Sequence, residues 1–347
     1  MLAAVYYGPH DLRLEERPAP AIGSADALLK VVSTGICGTD LRIFHGAHRK
    51  YAPGIIRIPG HEVVGEIAEI GPEVKGYSVG QRVFVAPNFG CGYCVQCISG
   101  NNNRCLDYGG LGVTVDGTFA EYLHIPAAAI RQGNLIPIAE DADPAAAAMI
   151  EPFACVLRGQ EAVKVQVGDV VLIIGAGPIG VMHIMLARLR GASRVIVSEL
   201  IEMRRVQALQ AGANRVVNPV EEDLAGVVFD ESGGTGADVV IVAAPAPAAQ
   251  VQALQLAAIG GRINFFGGLP KDRPIIEADA NAIHYKELWV TGTTGCSTGD
   301  CRRAAAIVNA GQVNLAHLVS GRFPLRAVLE AFAAAEQRTS LKIVIEP

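Results

Sequence analysis

Apolar residues in the second half of the chain follow two patterns, one typical of buried strands and one typical of helices. Residues 170–174 are apolar and mostly β-branched, as expected for a strand covered on both faces of a parallel sheet. After a glycine-rich stretch at 175–180, the spacing predicts a helix over 181–190 and a second strand over 194–198. The alternation continues with helices at 204–211 and 248–258 and strands at 238–242 and 262–266. It predicts an α/β region with a doubly wound parallel sheet.

The first half of the chain has a different texture, with short alternating runs broken by glycine and proline. Strands are predicted at 27–33, 63–70, 82–86 and 118–125, which indicates a β-rich domain. An alanine-rich helical run at 145–150 leads into the α/β region. After residue 295 the pattern predicts helices at 301–310 and 325–335 and a last strand at 342–345.

Composition and charge narrow the class of protein. The 347 residues suffice for two domains, half of them are hydrophobic and 18% are charged, so disorder is excluded. The net charge of −5 without a block of like charge argues against a nucleic-acid or membrane-surface partner. The apolar run at 170–187 is interrupted by glycine, proline and histidine, which argues against a spanning helix. No secretion signal is visible, so we expect a cytoplasmic protein whose eight cysteines serve metal binding or catalysis.

The glycine-rich stretch has the features of a dinucleotide site. Gly175 allows a tight turn, Gly177 lets the backbone approach a pyrophosphate, and Gly180 permits close packing of the helix on the strand. The helix N-terminus offers N–H groups and a positive dipole end to the phosphates. Glu199 ends the second strand, where a carboxylate can bind the ribose hydroxyls and repel a 2′-phosphate, so NAD is favoured over NADP. Arg204 and Arg205 nearby leave NADP open.

Two groups of residues have the chemistry of metal ligands. Four cysteines lie close together among glycines and fit a closed tetrahedral zinc site; disulfides and an iron–sulfur cluster fit this spacing less well. These are Cys91, Cys94, Cys97 and Cys105. The second group starts from Cys37 and His61, which both lie in glycine-flanked turns. Asp40 is placed to orient His61, and Glu62 and Glu151 could complete the coordination directly or through water.

Six segments together resemble one family. They are GICGTD at 35–40, GHE at 60–62, the cysteines at 91–105, DGTFAEY at 116–122, EP at 151–152 and GAGPIG at 175–180. In this order they resemble the zinc-dependent medium-chain dehydrogenases/reductases of the alcohol dehydrogenase superfamily, in particular the branch of polyol (sorbitol or L-iditol) and threonine dehydrogenases. The resemblance implies a GroES-like catalytic domain over 1–153 with a zinc lobe at 90–106, a Rossmann NAD domain over 154–295, and a return to the catalytic domain over 296–347. It also implies an active-site cleft between the two domains and a homotetramer or homodimer.

The resemblance further implies roles for single residues. Cys37 and His61 become ligands of a catalytic zinc, Glu62 an exchangeable third ligand, and Glu151 a ligand or a contact of the zinc-bound water or substrate. Thr39 takes the place of the hydroxyl that passes the substrate proton outward, and Cys155 packs as a small hydrophobe. Two zinc ions per chain are expected, one catalytic and one structural. The segments expected to contact the cofactor include Pro178, Ile179, Arg204, Phe266, Gly267, Thr293 and Thr294.

The implied reaction is hydride transfer between a secondary alcohol and NAD. Zinc lowers the pKa of a bound alcohol, so an alkoxide can form near neutral pH. A polyol, sugar or cyclitol is the expected substrate, and threonine or a simple alcohol is the alternative. The arginine and tyrosine that hold the polyol in the sorbitol branch correspond here to Gly295 and Cys296, and a tyrosine after the catalytic cysteine corresponds to Ile43 or Phe44. A non-catalytic NAD-binding regulator is the interpretation from another class, and the full set of candidate zinc-site residues argues against it.

Overall fold

The computed structural model describes residues 1–337 and 340–347 of the chain. The chain divides into two compact units. Unit 1 comprises Met1–Ala154 together with Cys296–Pro347, and unit 2 comprises Cys155–Gly295. Each unit is described by itself below.

The N-terminal part of unit 1 consists of short strands with few helices, as glycine and proline at the ends of its apolar runs suggest. Its last helix continues into unit 2. The elements are β1 (Leu2–Gly8), β2 (Asp11–Glu16), β3 (Ala27–Gly35), α1 (Gly38–Phe44), β4 (Glu62–Ile70), β5 (Arg82–Val85), β6 (Asn88–Phe89), α2 (Val95–Ile98), β7 (Gly109–Gly110), β8 (Tyr122–Ile125), α3 (Ala127–Arg131), β9 (Leu135–Pro137), α4 (Pro144–Ala148) and α5 (Ile150–Ala162).

Unit 2 alternates strands and helices, and all of its residues are described. Its elements are β10 (Val170–Ile174), α6 (Pro178–Leu189), β11 (Arg194–Ser198), α7 (Glu202–Gln210), β12 (Arg215–Val217), α8 (Leu224–Glu231), β13 (Ala237–Val242), α9 (Pro247–Leu256), β14 (Ala257–Phe265), α10 (Ala280–Tyr285) and β15 (Trp289–Gly292). The strands form one six-stranded parallel sheet in the order β12-β11-β10-β13-β14-β15. The order reverses direction between β10 and β13, which is where doubly wound sheets bind ligands.

Both faces of this sheet are buried. Val171 and Ile173 of β10 belong to one apolar cluster, and Leu172 and Ile174 belong to the cluster on the opposite face. Alternate side chains of a strand point to opposite faces, so a strand needs a continuous apolar run when helices cover both sides. Residues 170–174 are therefore all apolar because helices cover both faces of this strand.

The C-terminal part of unit 1 contributes α11 (Thr298–Asn309), β16 (Val319–Pro324), α12 (Val328–Glu336) and β17 (Lys342–Glu346). Within the described residues of unit 1, β16 and β17 extend the main sheet, whose order is β16-β17-β3-β4-β5-β9 with β8 paired to β3. The pairing of β17 with β3 is antiparallel and joins Val344 to Gly35. The last strand of the chain thus lies beside the segment that leads to Cys37.

The largest differences between predicted and observed strands are at the first residues of two of them. The strand predicted over 118–125 begins only at Tyr122, because the amides of Thr118 and Phe119 donate to Gly60 and Pro59 instead of continuing a ladder. The strand predicted over 262–266 begins earlier, at Ala257. None of the helices in the described ranges is long and apolar enough to cross a membrane.

Candidate metal centres and cofactor site

The first metal candidate begins at the turn between β3 and α1. Cys37 is the N-cap residue of α1, with extended backbone, and Asp40 occupies the third helical position. Asp40 Oδ2 accepts a hydrogen bond of 2.8 Å from the Cys37 amide, so the two residues form a capping box. This local interaction fixes the thiol at the start of the helix and keeps the Asp40 side chain buried.

Cys37 comes together in space with His61 and Glu62, which lie at the start of β4. One potential ligand atom from each of the three residues lies within 4.8 Å of the others. His61 and Glu62 are buried, and Cys37 is half-buried. A thiolate, an imidazole and a carboxylate are the types of donor that catalytic zinc sites use, with a further position left for water or substrate.

Asp40 and His61 lie next to each other, as the sequence predicted. Asp40 Oδ1 is 3.5 Å from His61 Nδ1. Burial alone would lower the pKa of the imidazole, but the negative charges of Asp40 and Cys37 outweigh it and raise the pKa well above its usual value. Zinc ligation requires the neutral ring, so metal binding here releases a proton.

Lys342 is a charged neighbour of this group that sequence reasoning missed. Its Nζ lies 2.6 Å from Glu62 Oε1 and 2.5 Å from Oε2, and both side chains are buried. Burial lowers the pKa of the ammonium, but Glu62, Cys37 and Glu151 together raise it above its usual value. The ion pair places the Lys342 ammonium directly against one candidate metal ligand. The only signal in the sequence is a lysine directly before the apolar residues Ile343, Val344 and Ile345 of the last strand.

Glu151 lies in the first turn of α5 and is buried. It is not part of the group of three that the described residues form around Cys37. Its Oε1 instead lies 3.6 Å from the Sγ of Cys296. Cys296 is fully buried and follows directly on the end of unit 2, at the position where the sorbitol branch is expected to hold its substrate.

Thr39 and His48 are further polar residues of α1 and of the loop that follows it. Thr39 is half-buried, and its Oγ1 accepts a hydrogen bond of 3.1 Å from Arg42. His48 is half-buried too, and burial together with Arg42 and Arg49 lowers its pKa to about 4. The imidazole of His48 is therefore neutral at physiological pH.

The second metal candidate is the cysteine lobe, residues 90–106. The four cysteines each place a sulfur within 4.8 Å of the others. Two of the sulfur–sulfur distances are 4.0 Å, between Cys91 and Cys97, and 3.7 Å, between Cys94 and Cys105. Four sulfurs at about 2.3 Å from a tetrahedral zinc lie about 3.8 Å apart, so the lobe fits this ion.

Backbone amides of the cysteine lobe donate to its sulfurs, whereas burial raises the pKa of Cys97 and Cys105. The amides of Cys91 and Cys94 donate to the sulfurs of Cys105 and Cys91, each at 3.4 Å. A hydrogen bond from the Cys97 backbone lowers the pKa of Cys94 to about 7. Gly92 has a φ of 85°, in the left-handed region that favours glycine, which allows the sharp turn between Cys91 and Cys94.

In unit 2, the glycine turn between β10 and α6 has room for a ligand at one glycine and no room at another. A Cβ at Gly180 would lie 1.9 Å from the carbonyl oxygen of Gly175, so this position must stay bare for the helix to pack on the strand. At Gly177, the N-cap of α6, the nearest atom to such a Cβ is Arg204 Nη1 at 3.8 Å. Backbone packing accounts for the glycine at 180 but not for the one at 177. The open space at the N-cap fits a phosphate group.

Glu199 lies at the end of β11, beside this turn. Its Oε2 accepts a hydrogen bond of 2.7 Å from the amide of Ala176, and its Oε1 accepts one of 2.9 Å from Ile201. Each carboxylate oxygen has a second lone pair, so both can also accept from a ribose hydroxyl. Arg205 donates to the carbonyls of Glu199 and Leu200, whereas Arg204 reaches the glycine turn.

The remaining segments that the sequence assigned to the cofactor follow strands of the same sheet. Phe266 follows β14 and packs edge-to-face on His183, with ring centres 4.8 Å apart. Thr293 follows β15, and its Oγ1 accepts a hydrogen bond of 3.1 Å from Asn264. Parallel strands end at one edge of a sheet, so these residues lie at the same edge as the glycine turn. Gly267 and Thr294 are their chain neighbours.

Two family models match this chain. The alcohol dehydrogenase GroES-like domain matches residues 23–138, and the zinc-binding dehydrogenase domain matches residues 178–310. The chain belongs to the zinc-dependent medium-chain dehydrogenases. It is an oxidoreductase of the zinc-dependent alcohol dehydrogenase type. The family resemblance and the fold class predicted from the sequence are thus confirmed.

Three relatives of this medium-chain dehydrogenase show the range of its family. L-threonine 3-dehydrogenase of Chromobacterium violaceum is 32% identical over 339 residues, which cover 96% of either chain. A protein of Sinorhizobium meliloti 1021 assigned as a zinc-binding dehydrogenase, solved with NADP, is 31% identical with a TM-score of 0.92, over 100% of this chain and 99% of the other. A short chain alcohol dehydrogenase from E. coli CFT073, solved with NADH, is 28% identical with a TM-score of 0.90 and the same coverage.

Proposed function

We propose that this protein oxidises a small secondary alcohol to a ketone with NAD, using one catalytic and one structural zinc ion. The convergence of Cys37, His61 and Glu62 to within 4.8 Å is the observation that carries the proposal. Unit 1 offers this ligand group and the half-buried Thr39, and unit 2 offers the glycine turn and Glu199. Zinc, when bound, supplies a Lewis acid that lowers the pKa of an alcohol.

The protein's own residues divide the remaining work. Asp40 holds the ring of His61, and Glu151 contacts the site as a ligand or through water. In the oxidation, the carbinol carbon gives its hydride to the nicotinamide and the hydroxyl gives its proton to the protein. Thr39 receives that proton and passes its own outward. Arg42 donates to Thr39 and has no acceptor atom, so it orients the hydroxyl but does not carry the proton further.

The substrate that we propose is an alcohol with further polar groups, such as a polyol, a sugar or a cyclitol. L-Threonine is the second candidate, because a threonine dehydrogenase is 32% identical over nearly the whole of both chains. The test is a screen for formation of reduced nicotinamide with sorbitol, xylitol, myo-inositol, L-threonine and 2-butanol, combined with a zinc determination. Two zinc ions per chain and turnover of one of these alcohols support the proposal. A chain without the second zinc that turns over none of them is a cofactor-binding regulator instead.

The cofactor that we propose is NAD, on the strength of Glu199. Structural neighbours contain either NADP or NADH, so family membership does not decide between them. Glu199 lies at the end of β11 beside the glycine turn, where a carboxylate meets the ribose diol of NAD. A 2′-phosphate at the same place puts a charge near −2 within a few Å of the carboxylate, a repulsion of several kcal/mol even at an effective dielectric constant of about 20. Arg204 offsets part of that repulsion.

Replacing Glu199 with serine is expected to reverse this preference. In the wild type, kcat/KM with NAD should exceed that with NADP at least tenfold, roughly 1.4 kcal/mol. In Glu199→Ser, kcat/KM should fall with NAD, which loses hydrogen bonds from its ribose, and rise with NADP, whose phosphate can then meet Arg204. Steady-state kinetics with both cofactors measure the change, and Glu202→Ser, at the first residue of α7, serves as the control. Equal efficiency of the wild type with both cofactors would show that Glu199 does not face the ribose.

We also propose a homo-oligomer, with a tetramer as the first candidate and a dimer as the second. β15 is the edge strand of the six-stranded sheet, and its Trp289 is 47% exposed. A large apolar side chain on an unpaired edge favours pairing with a second copy about a two-fold axis. Light scattering of the purified protein should give a multiple of the 36.3 kDa chain mass. The mass of a single chain would refute the proposal.

A further inference from the structure

Cys296 directly precedes α11, and the cap of that helix fixes the turn in which it lies. Ser297 is the N-cap of α11, and Asp300 completes a capping box with it. Asp300 Oδ2 accepts hydrogen bonds of 2.8 Å from both the amide and the hydroxyl of Ser297. All three residues are buried, so the turn that carries Cys296 is fixed by satisfied polar groups.

The thiol of Cys296 lies between Glu151 and a second thiol. Its Sγ is 3.6 Å from Glu151 Oε1 and 3.5 Å from the Sγ of Cys301, and both cysteines are fully buried. A thiol is a weak donor and a carboxylate is a strong acceptor, so the S–H hydrogen points to Glu151. The backing by Cys301 leaves the Cys296 side chain little freedom to move away.

A buried polar network links this turn to the cysteine lobe. Asn102 lies three residues before Cys105. Its Nδ2 donates a hydrogen bond of 2.7 Å to Thr298 Oγ1, and its Oδ1 accepts one of 3.1 Å from the Thr298 amide. Thr298 Oγ1 donates a hydrogen bond of 2.9 Å to Asn134 Oδ1. Asn88 Nδ2 donates one of 2.8 Å to the backbone carbonyl of Cys296 itself.

Two of these side-chain amides also share one backbone acceptor, which makes the network continuous. Asn102 and Asn134 both donate to the carbonyl oxygen of Asn88, at 3.0 and 2.7 Å. Asn88, Asn102, Asn134 and Thr298 are all buried. Removing one partner from such a network leaves the others unsatisfied, so its geometry is strongly preferred over alternatives.

We propose that Cys296 is a positioning residue for Glu151, and that the network anchors Cys296 to the cysteine lobe. Glu151 is one of the groups that the proposed function places at the catalytic metal, and the inference rests on that function. The Cys296 thiol then occupies the position at which the sorbitol branch is expected to hold its substrate. In this chain the thiol holds the Glu151 carboxylate instead. The folded state of the cysteine lobe is thereby coupled to the orientation of Glu151.

The test compares Cys296→Ala, which removes the donor, with Cys296→Ser, which keeps one. The measurements are kcat and KM with the best alcohol of the screen, and the rate at which each zinc ion passes to a chelator. Cys296→Ala should lower kcat about tenfold, at the low end of the losses typical of residues that support metal ligands, with KM for NAD unchanged. One of the two zinc ions should leave several times faster. Cys296→Ser should restore most of both properties.

The anchor is tested with Thr298→Val, which removes the hydroxyl between Asn102 and Asn134. It should change kcat and zinc release in the same direction as Cys296→Ala, by a smaller factor. Thr114→Val is the matched control, because among the described residues the Thr114 hydroxyl bonds to the backbone of Gly110 in a local turn. This control should match the wild type in both measurements.

Three results would separate the possibilities. Unchanged kcat and zinc release in Cys296→Ala would overturn the inference, and equal losses in Cys296→Ala and Cys296→Ser would show that only packing matters there. If the wild type turns over no alcohol, the proposed function fails. The inference is then decided by zinc release alone, where Cys296→Ala must still differ from Thr114→Val. Thermal unfolding of each variant identifies any that does not fold.

Discussion

Cys37→Ser is expected to abolish dehydrogenase activity while leaving the fold intact. The serine hydroxyl stays protonated at neutral pH and is a far poorer zinc ligand than a thiolate. His61 and Glu62 would remain, but Glu62 is already paired with Lys342. We expect kcat/KM to fall well beyond the roughly 10–100-fold typical of residues that only support ligands. The zinc content should drop from two ions per chain to one, with far-ultraviolet circular dichroism unchanged.

Cys155→Ser is the matched control for this prediction. Cys155 lies four residues after Glu151 on α5 and is the other cysteine near the candidate ligands in sequence. Cys155 does not belong to the group of Cys37, His61 and Glu62, so the serine variant should keep nearly full activity and both zinc ions. If Cys155→Ser lost activity and zinc while Cys37→Ser did not, the thiolate ligand would be Cys155 and the assignment to Cys37 would be wrong.

The parts of the fold that follow local rules were predictable from the sequence. The strand β10 is marked by a β-branched run and ends at Gly175, whose φ of 101° needs glycine, so the pattern and the structure have one physical cause. The capping box of Cys37 and Asp40 also lies within four residues of chain. Signals of this kind are complete within a short window, and the sequence displays them in full.

The strands and contacts that sequence reasoning missed depend on distant parts of the chain. β12 has only three residues and begins with an arginine, so no period can be recognised in it; its pairing with β11 makes it a strand. Lys342 meets Glu62 across 280 residues, and Asn102 meets Thr298 across 196. A polar side chain that is buried by a distant partner looks like a surface residue in the sequence. For this reason the candidate ligands and Asp40 could be singled out from the sequence, whereas Lys342 and the buried amides could not.

Cys94→Ser is expected to unfold the cysteine lobe and to lower the stability of the whole chain. Structural zinc contributes roughly 10–16 kcal/mol to the folding of small zinc-binding peptides, and a site with three thiolates retains only part of this. The lobe has little apolar core to compensate, since Tyr93, Val95 and Ile98 are exposed by 80%, 67% and 72%. We expect a lower thermal midpoint, loss of one zinc ion and rapid proteolysis between residues 91 and 105.

Ile98→Ser is the control for this last variant, because it changes an exposed side chain in the same lobe and should leave the midpoint within about 1 °C, as for a surface substitution of a few tenths of a kcal/mol. The buried network from Asn102 to Thr298 gives the prediction a second part. When the lobe unfolds, Thr298 loses both hydrogen bonds to Asn102. Cys94→Ser should therefore also reduce kcat, although none of the four lobe cysteines belongs to the group of Cys37, His61 and Glu62. A Cys94→Ser protein with wild-type stability and zinc content would refute the structural role of the lobe. A destabilised protein with full kcat would confine that role to stability alone.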